Sequence, residues 1–255
     1  MGRKNFFSWN YFKYSQYELI EEFISNSKPQ AVHFIASHAL AEAYKDSQLY
    51  DIFEKDLIVC DGKPLSIYFK HCNKDIEQIR GTDFMRNFLI VSKPGSVHYF
   101  LGSTEESHRG IQNFVNSNSK NQFICHFYSP KFGLDWKKEI DSWIDMIVSE
   151  KSDYVWVGMG APKQFKIANE ITSRSGKTTF SVGAAFDFIA ETKKESPKWL
   201  NELGLEWLYR FSSEPKRLFH RYTVGNLKFL SIISLSYLTI AFKRILSFLS
   251  NISKS

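Results

Sequence analysis

The run Val59-Cys60-Asp61-Gly62-Lys63-Pro64 sets a carboxylate directly after a short apolar stretch and directly before a glycine. If that stretch is a strand, Asp61 stands at the carboxyl edge of a sheet, and Gly62 permits a tight turn or a close ligand. Such a carboxylate can draw a proton from an attacking hydroxyl, although Asp-Gly is equally a common turn or helix cap. In Ile79-Arg80-Gly81-Thr82-Asp83, Arg80 can hold a phosphate or a carboxylate, and Thr82 or Asp83 can cap the helix that follows. Gly102-Ser103-Thr104 offers amides and hydroxyls to a phosphate, or simply a helix cap. It lacks the Walker and GxGxxG spacings, which argues against ATP or NAD. Gly158-Met159-Gly160-Ala161-Pro162-Lys163-Gln164 follows another apolar run and opens a helix. Lys163 and the first amides of that helix favour an anion, and Gln164 can read sugar hydroxyls; the same residues can also merely start a helix. The chain has no Asp-x-Asp, and its histidines are scattered without ligand spacing, so no metal and no cofactor are expected.

For these groups to meet, the segments between them must alternate strand and helix. Strands are expected at 31–36, 57–60, 97–101, 123–127, 154–157 and 179–182, each short and rich in β-branched or aromatic residues. Helices are expected at 38–49, 83–91, 105–116, 136–148 and 163–172. In 136–148, Trp136, Ile140, Trp143, Ile144 and Ile147 recur at helical spacing. This alternation points to an α/β, Rossmann-like, largely parallel sheet with helices on both faces, whose ligands sit at the carboxyl ends of the strands. After Gly183 the pattern changes to short helices at 197–203, 205–211 and 215–223. A longer apolar segment at 227–249 follows. Its uncharged part, Phe229 to Phe242, is 14 residues long, against the roughly 20 that a spanning helix needs. An interfacial helix flanked by Lys228, Lys243 and Arg244 fits better, with packing on the chain's own core or on a second copy as alternatives. The division is thus residues 1–190 as the core and residues 191–255 as a basic helical appendage.

Charge supports that division. The net charge is +6, and from Glu191 onward there are 11 Lys and Arg against 5 Asp and Glu, leaving 22 of each sign before it. The appendage carries the whole excess, which suits phospholipid headgroups or a diphosphate. A neutral core without an RNP-type motif argues against nucleic acid. Cys60, Cys72 and Cys125 are odd in number and widely spaced, as reduced thiols would be. The basic start is not followed by an apolar stretch, so no signal peptide is expected and the protein is placed inside the cell.

The same motifs, in this order, resemble the WecG/TagA/CpsF family, glycosyltransferase family 26. The most specific stretch is Val182-Gly183-Ala184-Ala185-Phe186-Asp187-Phe188, then Ser196-Pro197-Lys198-Trp199, Leu203-Gly204-Leu205-Glu206-Trp207-Leu208-Tyr209-Arg210, Glu214-Pro215-Lys216-Arg217-Leu218 and Arg221-Tyr222. With Asp61-Gly62, Arg80-Gly81-Thr82-Asp83, Tyr128-Ser129-Pro130 and Pro162-Lys163-Gln164, the resemblance spans about residues 31–230. It implies an inverting, metal-independent transfer of N-acetylmannosamine or its uronic acid from a UDP-sugar to a polyprenyl-diphosphate-linked saccharide, in teichoic acid, capsule or related cell-surface synthesis. Asp61 is then the base, with Gln164 and Arg80 beside it. Gly62, Thr82, Asp83, Gly102, Ser129, Lys163 and Asp187 would bind substrate. Arg210, Arg217 and Arg221 would hold the diphosphate while the appendage docks on an anionic membrane at its inner face.

Several positions depart from the family pattern. Phe165 stands where Glu is frequent, Gln78 where an Arg usually precedes Arg80, Ala36 where Asn follows the first strand, His220 in an Arg-Arg-Tyr motif, and Glu191 at a Gly position. These departures motivate one alternative, a catalytically impaired, nucleotide-sugar-binding regulatory protein attached to the membrane.

Overall fold

Short runs rich in β-branched and aromatic residues, most of them buried, pair readily with one another in a parallel sheet. Six of them do so in the computed structural model, which describes residues 9–25, 28–72, 74–215, 225 and 228–234. The strands are β1 (Ala31–Ile35), β2 (Leu57–Cys60), β3 (Val97–Gly102), β4 (Ile124–Tyr128), β5 (Tyr154–Gly158) and β6 (Thr178–Ser181). They form one parallel sheet in the order β2-β1-β6-β5-β3-β4. Its β2 edge is covered by the N-terminal segment, where Phe12 N–H donates to Ile58 O at 2.8 Å and Ile58 N–H to Asn10 O at 2.8 Å.

Alternation along the strands separates two apolar layers. Val32, Phe34, Trp156 and Phe180 face helices α1 (Gln16–Ile24), α5 (Gly81–Val91), α6 (Glu105–Asn118) and α9 (Ala185–Ile189). On the opposite face, Ile35, Ile58 and Cys60 pack with α2 (Ser37–Ala43), α3 (Ser47–Lys55) and α4 (Lys63–His71). On that side too, Tyr99, Val155 and Val157 meet α7 (Trp136–Ser149) and α8 (Lys163–Ser175). Two short helices, α10 (Lys198–Glu202) and α11 (Glu206–Ser213), follow the sheet.

All six expected strands occur within one residue of their expected ends. The expected helix 38–49 is two helices, because Asp46 is extended and its side chain accepts from Leu49 N–H at 3.1 Å, starting α3 afresh. Neither Thr82 nor Asp83 caps α5, whose N-cap is Arg80 with no side-chain bond. Helix α1 was not expected, although its capping box, Ser15 with Glu18, is written in the sequence. Of the apolar tail, Phe229 is buried against the α2–α4 layer, with Ile232 and Ile233 partly so, while Leu230 is exposed. Its first turn therefore packs on the chain's own core rather than lying wholly in an interface. Arg217, Arg221, nearly all of the expected helix 215–223 and the rest of the tail lie outside the described residues.

Candidate functional site

Every strand of a parallel sheet ends on the same side, so the residues that follow the strands must share one edge. A cleft of about 940 Å³ opens there and is lined from all six connections. Asp61, Arg80, Thr82, Gly102, Ser129, Lys163, Gln164, Asp187 and Arg210 all line it. Gly62 and Asp83 do not: Gly62 packs against Ala36 behind the Asp61 turn, and Asp83 pairs with Arg80 and Arg86. A second cleft, about 390 Å³, lies at the amino ends of β3, β5 and β6 near Lys93, Asp153 and Lys177, away from every expected site residue.

Asp61 is fixed by the segment that follows α4. Ile79 N–H donates to Cys60 O at 2.8 Å, Gln78 Nε2 to Asp61 O at 2.8 Å, and Gly81 N–H to Asp61 Oδ1 at 2.9 Å. Gln78 thus holds the backbone of Asp61. Burial pushes the Asp61 carboxyl above its ordinary range and the nearby Glu206 charge adds to this; the Gly81 amide, Arg210 and Arg80 oppose both. The balance is a carboxylate more basic than a solvated one.

Arg80 has all three guanidinium nitrogens engaged. Nη1 lies 3.2 Å from Asp83, Nη2 3.2 Å from Glu195, and Nε 3.6 Å from Glu206. Arg86 also pairs with Glu195. These ion pairs pin the segment leading into α10 and α11 onto the start of α5. Burial works against the Arg80 charge, but four carboxylates, Glu206 foremost, outweigh it and keep the group protonated.

Asp187 organises the opposite wall. It accepts from Ser103 Oγ at 2.7 Å and Ser107 Oγ at 3.1 Å, and pairs with Lys193 at 2.9 Å. Burial alone would raise its carboxyl, but Lys193 and the two hydroxyls hold it below the ordinary range. Ser129 Oγ donates to Ser103 O at 2.7 Å, and Thr104 caps α6. The hydroxyls of the Gly102-Ser103-Thr104 loop are therefore engaged within the chain, and Gly102 itself turns at φ +110 against Gly158.

Two buried polar atoms in the cleft wall have no partner among the described residues: Gln164 Oε1, an acceptor, and Arg210 Nε, a donor. Buried polar groups are nearly always paired, so an orphaned acceptor and donor in one cleft describe a ligand with both an N–H or O–H and an anionic oxygen. Gly183, at φ +59, leaves room for the Gln164 amide, since a Cβ added there would lie 3.2 Å from Gln164 Oε1. Phe165 is buried between His33 and Phe53 and also lines the cleft, so a ring stands where the family often has a carboxylate.

Sequence reasoning missed Glu206, Lys193 and Phe132 as site residues, and Glu195 as the ion-pair partner of Arg80 and Arg86. Phe132 is a fully exposed ring at the rim of the cleft. A bare aromatic in a loop after a strand was the available signal. Among the described residues no group of three or more His, Cys, Asp or Glu is placed to hold a metal ion.

The glycosyl transferase WecG/TagA/CpsF family matches residues 10–241. Two relatives from Staphylococcus aureus, strains MRSA252 and MW2, are each named N-acetylglucosaminyldiphosphoundecaprenol N-acetyl-beta-D-mannosaminyltransferase. Each is 27% identical over 200 residues, which is 77% of this chain and 74% of theirs.

Proposed function

Because the chain belongs to the WecG/TagA/CpsF family of glycosyl transferases, we propose that it moves N-acetylmannosamine, or its uronic acid, from a UDP-sugar to a polyprenyl-diphosphate-linked saccharide. The observation that carries this reading is the orphaned pair in the cleft wall, Gln164 Oε1 and Arg210 Nε, on the same edge as Asp61. A nucleotide-sugar meets both needs. Its hexosamine supplies an N–H and hydroxyls to Gln164, and its diphosphate supplies oxygens to Arg210.

In the reaction, Asp61 takes the proton of the acceptor hydroxyl as that oxygen bonds to the anomeric carbon. The bond from that carbon to the β-phosphate oxygen breaks on the opposite face, its electron pair leaves with UDP, and the configuration inverts. Arg210 and Lys163, with Arg217 and Arg221 of the appendage, neutralise the leaving diphosphate, so no metal is required. Burial and Glu206 make Asp61 a better base than a solvated carboxylate. The exposed Phe132 ring offers a stacking face to the uracil.

The acceptor's lipid tail calls for a membrane, and the appendage is suited to one. Trp199 on α10, Leu203 at its C-terminal cap and Leu208 on α11 are 60%, 64% and 46% exposed, and the net positive charge of the chain lies in the same region. Among the described residues no helix is long and apolar enough to cross a bilayer. We place the protein as a peripheral one at the inner face, with the appendage against anionic lipid.

The test is a UDP-release screen over UDP-hexosamines and their uronic acids, with a soluble prenyl-diphosphate N-acetylglucosamine as acceptor. Acceptor-dependent release from the N-acetylmannosamine series is expected. Release from none of the donors, or release indifferent to acceptor, would reject the assignment.

A further inference from the structure

In the reaction as drawn above Glu206 only raises the basicity of Asp61, yet it is the residue that joins the parts of the site. It sits in the first turn of α11 and lines the cleft. Oε2 lies 3.6 Å from Arg80 Nε, in the core, and Oε1 pairs with Arg210 Nη2 one turn further along α11. Arg210 is thereby gripped on one side only. Its guanidinium lies 4.7 Å over the Phe188 ring, and its Nε is buried with no partner among the described residues. A planar guanidinium held at Nη2 and stacked on a ring has its remaining donors fixed in direction. Arg80 is the converse case, since the carboxylates of Asp83, Glu195 and Glu206 surround its three nitrogens and already counter its charge.

We propose that Glu206 is a positioning residue, whose two oxygens bridge Arg80 and Arg210 so that Arg210 keeps its Nε free for the donor's diphosphate beside Asp61. Arg80 then acts as the anchor of the appendage rather than as a ligand to phosphate. This rests on the nucleotide-sugar reading of the cleft. Glu206 also acts on Asp61 directly: the charged groups that bear on that carboxyl are Glu206, Arg210 and Arg80, with the Cys60 thiol behind it on β2. Neutralising Glu206 removes the one neighbouring charge that makes Asp61 more basic, and leaves both arginines to make it less so.

The experiment compares Glu206→Gln, Glu206→Asp and Glu195→Gln with the wild type. It measures UDP binding by calorimetry and steady-state transfer from UDP-N-acetylmannosamine across pH. Glu206→Gln should lower kcat by about 10- to 100-fold, the scale of a displaced site group, and weaken UDP binding. It should also move the acid limb of kcat/KM to lower pH. Glu206→Asp, which keeps the charge, should recover part of kcat and return the limb toward the wild-type position. Glu195→Gln loosens the same anchor without touching Arg210 and should leave the limb unmoved. A Glu206→Gln enzyme within about twofold of wild type, or one that loses rate with its acid limb unshifted, would overturn the proposal. So would an Asp variant no better than Gln. If the wild type itself binds no UDP, the nucleotide-sugar reading fails first, an outcome distinct from these.

Discussion

Asp61 combines two properties that usually oppose each other, burial at the end of a strand and exposure to a cleft. Its raised proton affinity sets the pH behaviour of the fold as well as of the reaction. The folded state holds the Asp61 proton at pH values where the unfolded chain has lost it, so stability falls as pH rises through that window. Asp61→Asn should therefore raise Tm at pH 7, by about 2–4 °C if ~1 kcal/mol is relieved. The gain should vanish below the ordinary carboxylate range, and differential scanning calorimetry at both pH values reads it. Gln164 makes a similar trade, because its orphaned Oε1 is a buried acceptor without a donor. Gln164→Met removes that acceptor at similar volume; it should stabilise the empty protein by about 1 kcal/mol and raise the donor KM roughly tenfold. Chemical denaturation and initial-rate kinetics on one preparation separate the two effects. Asp61 and Gln164 could be picked out from the sequence because each follows a strand at a turn. Glu206 could not, because nothing in Leu205-Glu206-Trp207 reveals that its partners are 126 residues upstream and four residues ahead.

The strands were legible because each is a short run rich in β-branched or aromatic residues, and a parallel sheet buries most of such residues on both faces. Helices were legible where an apolar stripe repeats, as in α7, and less so where a cap decides, as at Asp46. Strand order was not written locally; β6 lies between β1 and β5 because helices return the chain across both faces. Two places in the sheet give measurable consequences. Gly102 turns at φ +110, and an added Cβ would lie 2.7 Å from Met159 Cγ and 2.8 Å from the Gly158 carbonyl. Gly102→Ala should cost about 1–3 kcal/mol in urea unfolding and widen the cleft wall. His98 is buried in β3, where its Nδ1 accepts from Trp156 Nε1 at 3.1 Å, so the ring proton is on Nε2, facing Ser96 Oγ at 3.2 Å. Burial lowers its pKa to about 3. As pH falls below the ordinary histidine value, the unfolded chain gains a proton that the folded one refuses. Stability should then decline by about 1.4 kcal/mol per pH unit from this group, a slope that His98→Gln should remove.

Over the whole molecule, residues 1–190 balance their charges and residues 191–255 carry the positive excess. Glu195 and Glu206 fasten one to the other through Arg80 and Arg86. This division of charge was legible from composition, whereas the fastening was not, since it depends on acidic residues inside a basic segment. If the exposed Trp199 and Leu203 side chains enter a lipid surface, Trp199→Ser with Leu203→Ser should reduce sedimentation with anionic vesicles severalfold while leaving Tm unchanged. The base itself is tested most directly by single-turnover transfer with saturating UDP-N-acetylmannosamine, comparing wild type and Asp61→Asn after calorimetry has matched their donor affinities. The mechanism requires donor binding within a fewfold of wild type and a transfer rate lower by about 100-fold or more. Transfer by Asp61→Asn at near the wild-type rate would contradict it.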